Sequence, residues 1–188
     1  MKRWMLMVVT ILSIALLVGC GSSEKKGHFM KDEGVASKIM AQLQEKKELK
    51  GKDIKVFQTI NIVKMDQPDM MMVNLAILQP GTTDKVDSYT YFQGKWSDAE
   101  PVVITGDGSM AENIAPLSQI DFTKLPAMYK ELEAKAKQIE GGKVDDLLSY
   151  HLDIDTGHFY ARIKVTGARE SYVAEFDEKG NLIDYQKE

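Results

Sequence analysis

Apolar residues recur along this chain with two spacings, and the same succession of spacings occurs twice. In the first half, Val35, Ile39 and Leu43 lie four residues apart, which predicts a helix over residues 34–49 because such residues share one helix face. Alternating apolar and polar positions then predict strands. These strands lie near residues 54–62, 71–77, 86–92 and 102–104.

The second half repeats this order after a glycine-rich loop at 105–109. A helical spacing predicts a helix over residues 125–140, and Gly141-Gly142 is expected to end it. Alternating positions predict strands near residues 144–154, 159–165, 172–176 and 182–185. The connecting segments are too short for crossover helices, so we expect antiparallel sheets.

These patterns predict an α+β fold of two similar units, each with one helix packed on an antiparallel three- to four-stranded sheet. The first helix-plus-sheet module covers residues 33–105 and the second covers residues 122–188. Residues 106–121 are expected to form a linker. The repeat concerns the order of elements, and no position-by-position identity accompanies it.

The amino-terminal end has a different pattern. Met1-Lys2-Arg3 is positively charged, and residues 4–18 are almost wholly apolar. A helix of that length spans roughly 22 Å, which is shorter than a hydrocarbon core of about 30 Å. A positive end before a short apolar run predicts a signal peptide over residues 1–19.

Leu17-Val18-Gly19-Cys20 follows at the end of that run. It resembles the lipobox of bacterial lipoproteins, which implies cleavage before Cys20 and attachment of a diacylglycerol to its thiol. Cys20 is the only cysteine of the chain, so it has no disulfide partner. We expect acyl chains on Cys20 to anchor the protein to the cell membrane or outer membrane, facing the periplasm or exterior, with residues 20–32 as a flexible tether.

Charge narrows the range of partners. Without Lys2 and Arg3, the 24 basic residues become 22 against 28 acidic residues, which is a net charge of −6. An acidic surface argues against nucleic acid and against electrostatic attraction to anionic lipid. The remaining expected partner is an envelope protein or peptide.

A strand with a tyrosine, an aspartate–glycine turn and a short last strand follow one another in the sequence SYVAEFDEKGNLI at 171–183. This segment resembles the closing hairpin of PepSY-like domains, and the order of helix then meander is similar to the tandem modules of beta-lactamase-inhibitor-like proteins. The resemblance covers residues 122–188 and, more loosely, 33–105. It implies a secreted or anchored binding module, in some members an inhibitor, without a fixed catalytic set.

No motif predicts a catalytic site. Asp155-Thr156-Gly157 matches the catalytic tripeptide of aspartic proteases, but that chemistry needs two carboxylates and the chain has one such tripeptide. The same three residues are favourable in a hairpin turn. We therefore expect a protein without enzymatic activity and without a cofactor.

Two groups of residues could hold a metal. His151, Asp153 and Asp155 share one strand face with His158 across a turn, which is either a zinc or copper surface or the solvated face of a half-buried sheet. Methionines accompanied by Asp66 and Asp69 form a second group that could bind copper or fill the core. These methionines are Met65, Met70, Met71 and Met72. We assign no metal site, and a small-ligand or copper/zinc carrier is the alternative function.

Aromatic residues on the predicted strands are the candidate partner-binding residues. Four of them are singled out: Tyr89, Tyr91, Trp96 and Tyr172. On an exposed sheet face such rings are common interface anchors, whereas under the helices they belong to the core. The sequence therefore predicts a membrane-anchored envelope lipoprotein that acts as a non-enzymatic protein- or peptide-binding module. Inhibition of the bound partner is one form that this function can take.

Overall fold

The structure is a computed structural model that describes residues 28–65, 70–106 and 108–188. The predicted signal peptide, Cys20 and most of the predicted tether lie outside these residues. So do Asp66 and Asp69 of the methionine group. Signal-peptide cleavage, lipidation of Cys20 and a flexible tether therefore stay predictions.

The described residues form two α-helices and one antiparallel sheet of ten strands. The helices are α1 (Val35–Gln44) and α2 (Leu125–Ala136). The strands are β1 (Lys55–Lys64), β2 (Met71–Leu78), β3 (Val86–Phe92), β4 (Lys95–Trp96), β5 (Glu100–Val102), β6 (Ile114–Pro116), β7 (Lys143–Asp153), β8 (His158–Thr166), β9 (Ser171–Asp177) and β10 (Leu182–Lys187). The predicted α+β class with antiparallel strands is confirmed.

The strands follow the order β10-β9-β8-β7-β1-β2-β3-β4, with β5 on β3 and β6 on β1. At the centre β1 and β7 pair, with Ile60 opposite Tyr150 and Ile62 opposite Leu148. The expectation of a separate three- to four-stranded sheet for each half is therefore wrong. Pairing the first strands of the two halves removes two open strand edges and gives one continuous sheet.

Both helices pack on the same face of this sheet. Apolar side chains from both halves form one buried cluster beneath them, in which Ile62, Leu148 and Phe176 are fully buried. The helices are shorter than predicted at their carboxyl ends, because turns replace the last residues. At the end of α2 the backbone passes so close that a Cβ on Gly142 would lie 2.1 Å from the Ala136 carbonyl oxygen.

The segment predicted as a linker also contributes to the core. Within this segment, β6 pairs with residues 55–57 at the beginning of β1. The pairing of β1 with β7 begins only at Thr59. Ala115 and Leu117 are buried. The described residues of this segment that are exposed lie before β6, apart from Ser118.

The described chain begins on the helix-covered side. Phe29 and Met30 are buried, and the His28 ring lies 5.5 Å from the Tyr129 ring of α2. Lys31 Nζ contacts Glu133 Oε1 at 2.9 Å. The first described residues thus pack on the helix-covered side.

Candidate functional site

The face of the sheet opposite the helices carries the polar members of each alternating strand pattern. At its centre, the Ser149 hydroxyl donates a hydrogen bond to Asn61 Oδ1 at 2.7 Å. Farther out, Arg162 Nε lies 3.4 Å from Glu175 Oε1. Most side chains on this face are half-buried by their neighbours or exposed, since both helices lie on the other face. We call it the open face.

Two adjoining depressions occupy the open face over β7 to β10, and we call them together the open-face trough. The larger has a volume of about 520 Å³ and is lined by Leu152, Asp153, Ile154, Thr156, His158, Phe159, Tyr160, Glu175, Asp177, Glu178 and Ile183. The smaller has a volume of about 250 Å³ and is lined by Asp145, Leu147, Ser149, His151, Arg162, Ile163, Lys164, Val173 and Glu188.

The larger depression is the acidic end of the trough. The backbone N–H of Asp155 donates to Asp153 Oδ1 at 2.9 Å, and hydrogen bonds led by the Thr156 hydroxyl lower the pKa of Asp153. Partial burial opposes ionisation of Asp177, but hydrogen bonds from Asn181 outweigh it and lower the pKa of Asp177. Both carboxylates are therefore ionised at neutral pH.

Two rings separate the depressions. The His151 and Tyr160 rings lie 5.6 Å apart on neighbouring strands. Burial, together with the positive charge of Arg162, lowers the pKa of His151, so this imidazole is neutral at pH 7. The middle of the trough is thus an uncharged aromatic surface.

The smaller depression is nearly balanced in charge. Lys164 forms an ion pair with Glu188, and Arg162 contacts Glu175. Its exposed apolar residue is Leu147, which is 48% exposed, whereas Ile163 and Val173 are buried. This end offers an aliphatic surface between paired charges.

The four aromatic residues predicted as interface anchors all lie on the helix-covered face. Tyr89 is 2% exposed, and burial raises its pKa to about 12. Trp96 Nε1 donates to the Ile39 carbonyl oxygen of α1 at 2.9 Å, and the Tyr91 ring lies 5.5 Å from the Trp96 ring. Tyr89 therefore offers a partner no surface in this conformation, while Tyr91 and Trp96 remain partly exposed.

Tyr172 packs in the same way at the other end of the sheet. Its ring is stacked on Tyr185 with centroids 5.0 Å apart, and Lys135 of α2 lies over the Tyr185 ring. Tyr172 is partly exposed. Its role in binding stays a prediction, as does that of Tyr91 and Trp96.

Of the residues considered as metal ligands, Met70 and Met71 line one small cavity in the part of the chain described. There, no group of three or more His, Cys, Asp or Glu side chains is close enough to hold an ion. Met71 and Met72 point to opposite faces, opposite Lys64 and Val63 respectively. Asp155, Thr156 and Gly157 form the turn between β7 and β8.

No family model, no curated protein and no solved structure matches this chain. The likeness to PepSY-like and beta-lactamase-inhibitor-like modules therefore stays an expectation, and the site is judged by its own geometry. Within the described residues, no helix has the length and apolar character needed to cross a membrane.

Sequence reasoning missed most of the trough residues. The alternation in β8 did contain a signal, because Tyr160 and Arg162 occupy the positions between the buried Phe159, Ala161 and Ile163. The trough itself could not be found that way, since it depends on which strands lie side by side.

Proposed function

We propose that this protein is a membrane-anchored cell-envelope lipoprotein that binds a protein or peptide on the open-face trough, without catalysing a reaction. One observation carries the proposal: the helices cover one face of the sheet, and the other face bears two adjoining depressions bordered by exposed apolar side chains. Leu147, Ile154 and Ile183 are 48%, 58% and 59% exposed. Exposed aliphatic groups beside depressions are common at protein interfaces.

The polar groups of the trough support binding over catalysis. Asp153 and Asp177 are engaged by turn backbone, and both have lowered pKa values. A general acid needs a carboxyl whose pKa is raised toward neutrality. The Ser149 hydroxyl donates its hydrogen bond to Asn61 Oδ1, so it is not paired with a base. These polar groups are therefore better suited to binding a partner in a fixed arrangement than to transferring protons.

The position of the anchor supports the same reading. Cys20 precedes His28 by eight residues, which span at most about 28 Å when extended. Because the described chain begins on the helix-covered side, we expect a lipid on Cys20 to keep that side nearer to the membrane. The open face then points to the aqueous phase, where a protein partner approaches.

We also propose that the two halves are similar units joined at the β1–β7 pair. In each half a helix precedes the strands, and successive strands add outward from the centre of the sheet. The open face then combines equivalent surfaces of both units, with the trough on the second.

The trough is tested by replacing an exposed apolar residue in it. Leu147→Asp should reduce capture of the partner in a crosslinked pull-down of the lipidated protein from its own envelope, because a charge there disfavours an apolar contact. Val103→Asp is the matched control, since Val103 is 87% exposed and lies outside the trough. Equal capture by both variants at unchanged melting temperature would contradict the proposal.

A metal-carrier function has one observation in its favour. His28, Met30, Met70 and Met71 line a cavity of about 30 Å³, and the buried His28 Nε2 has no hydrogen-bond partner. However, the Met30 N–H donates to His28 Nδ1 at 3.2 Å, so the proton of the neutral ring lies on Nε2 and blocks coordination there. Competition for Cu(I), comparing His28→Ala with Met72→Leu, tests this second candidate.

A further inference from the structure

We infer that the acidic end of the trough takes a basic, amphipathic partner segment in which lysine or arginine side chains alternate with apolar ones. This inference rests on the proposed function and names the chemistry of the partner. It follows from the shape, the apolar borders and the charge of the larger depression.

The shape fits side chains of an extended segment. The depression has a volume of about 520 Å³, whereas the trough continues past the His151 and Tyr160 rings into a second depression of about 250 Å³. The smaller depression lies beside residues 145–151 and 162–164, and the larger lies beside residues 152–160 at the far end of the same two strands, so the trough runs along β7 and β8. A chain lying in it can place one side chain in each depression.

The borders of the acidic end are apolar. Ile154 in the β7–β8 turn and Ile183 at the start of β10 belong to different hairpins, yet both line this depression. They are 58% and 59% exposed. Covering these two side chains stabilises a complex by removing apolar surface from water, at about 25 cal/mol per Å².

The charge of the depression selects a cationic partner. Four carboxylates line it, and neither lysine nor arginine is among its lining residues. Glu175 forms an ion pair with Arg162 of the neighbouring depression, which offsets one of the four negative charges. Glu178, whose side chain is 18% exposed, lies 3.8 Å from His158 Nδ1. The depression thus keeps a net negative charge next to its apolar borders.

The spacing of the carboxylates disfavours binding of a single metal ion. In the described part of the chain, these groups do not come together as a set of three that could hold a metal. Asp153 and Asp177 also accept hydrogen bonds from backbone N–H groups of their own turns, which leaves fewer free lone pairs for an ion. Negative charge spread along the depression suits ammonium or guanidinium groups on flexible stems, whose methylenes can lie against Ile154 and Ile183.

The inference is tested with two labelled hexapeptides, one alternating lysine with leucine and the other glutamate with leucine. The full lipidated protein is held in phosphatidylcholine nanodiscs, and empty nanodiscs correct for peptide bound to lipid. Fluorescence anisotropy should show the lysine peptide binding at least ten-fold more tightly than the glutamate peptide, with weaker binding at higher salt.

Matched variants locate the site. Glu178→Gln and Ile183→Ser should each weaken binding of the lysine peptide by about three-fold. Their controls are Glu112→Gln and Ile104→Ser, which change the same residue types at exposed positions outside the trough and should leave binding unchanged.

Two results overturn the inference: equal binding of both peptides, or equal effects of trough variants and controls. If Leu147→Asp still abolishes capture in the envelope while the lysine peptide does not bind, the trough binds a partner of other chemistry. If neither effect is found, the proposed function fails as well.

Discussion

Ser149 of β7 donates a hydrogen bond of 2.7 Å to Asn61 of β1, across the strand pair that joins the two halves of the sheet. Ser149 is 8% exposed, although it lies on the open face. A polar pair at this position favours one register between the halves, because a shifted register leaves the buried Ser149 hydroxyl without its acceptor.

Removing the serine hydroxyl should destabilise this junction. Ser149→Ala leaves Asn61 Oδ1 without its donor, and we expect a loss of about 1 kcal/mol in the free energy of unfolding. Urea unfolding of Ser149→Ala, Asn61→Ala and the double variant measures the coupling of the pair. Additive single effects would show that the hydrogen bond contributes nothing at the junction.

Nicking the chain before β6 should leave the protein assembled. Val103 and Ile104 are 87% and 37% exposed, so limited proteolysis is expected to cut first between residues 103 and 113. The fragments should stay together on native gel filtration because β1 pairs with β7 and β6 pairs with β1. Early cuts within residues 54–78, or separation of the fragments, would contradict the continuous sheet.

Alanine at Trp96 should affect the fold more than the partner. The variant loses the bond from Nε1 to the Ile39 carbonyl oxygen and the contact with Tyr91, so we expect a loss of about 2 kcal/mol in stability. Tyr172→Ala loses its stack on Tyr185 and should show a smaller loss. Loss of partner capture at an unchanged melting temperature would show instead that these residues contact the partner.

Lipidation of Cys20 is tested directly. Cys20→Ala should block incorporation of labelled fatty acid and leave the precursor uncleaved, because no other thiol is present. Metabolic labelling and mass spectrometry of the mature chain measure both effects. A lipid-labelled, processed Cys20→Ala protein would mean that the lipobox is not the anchor.

The spacing of apolar residues predicted the helices and most strands, because the helical period of 3.6 residues and the strand period of 2.0 residues are local properties of the chain. Which strands become neighbours is not local. Ile60 and Tyr150 pair although 90 positions separate them in sequence, and nothing in either segment specifies the other. Prediction of one sheet per half failed for that reason.

The candidate site was predicted only in part for the same reason. The shared face of His151 and Asp153 followed from alternation, and both do line the trough. The aromatic residues could not be assigned to a face until the positions of the helices were known. Ile183 borders the trough next to an irregularity in the pairing of β9 with β10 between Leu182 and Asp184, which alternation does not reveal.

The central claim is that a partner binds the open face and not the helix-covered face. Site-specific photo-crosslinking tests it in the envelope, with p-benzoylphenylalanine at Tyr160 in the trough or at the exposed Lys130 of α2. We predict one discrete adduct from position 160, reduced by Leu147→Asp, and none from position 130. An adduct from position 130, with none from position 160, would contradict the account.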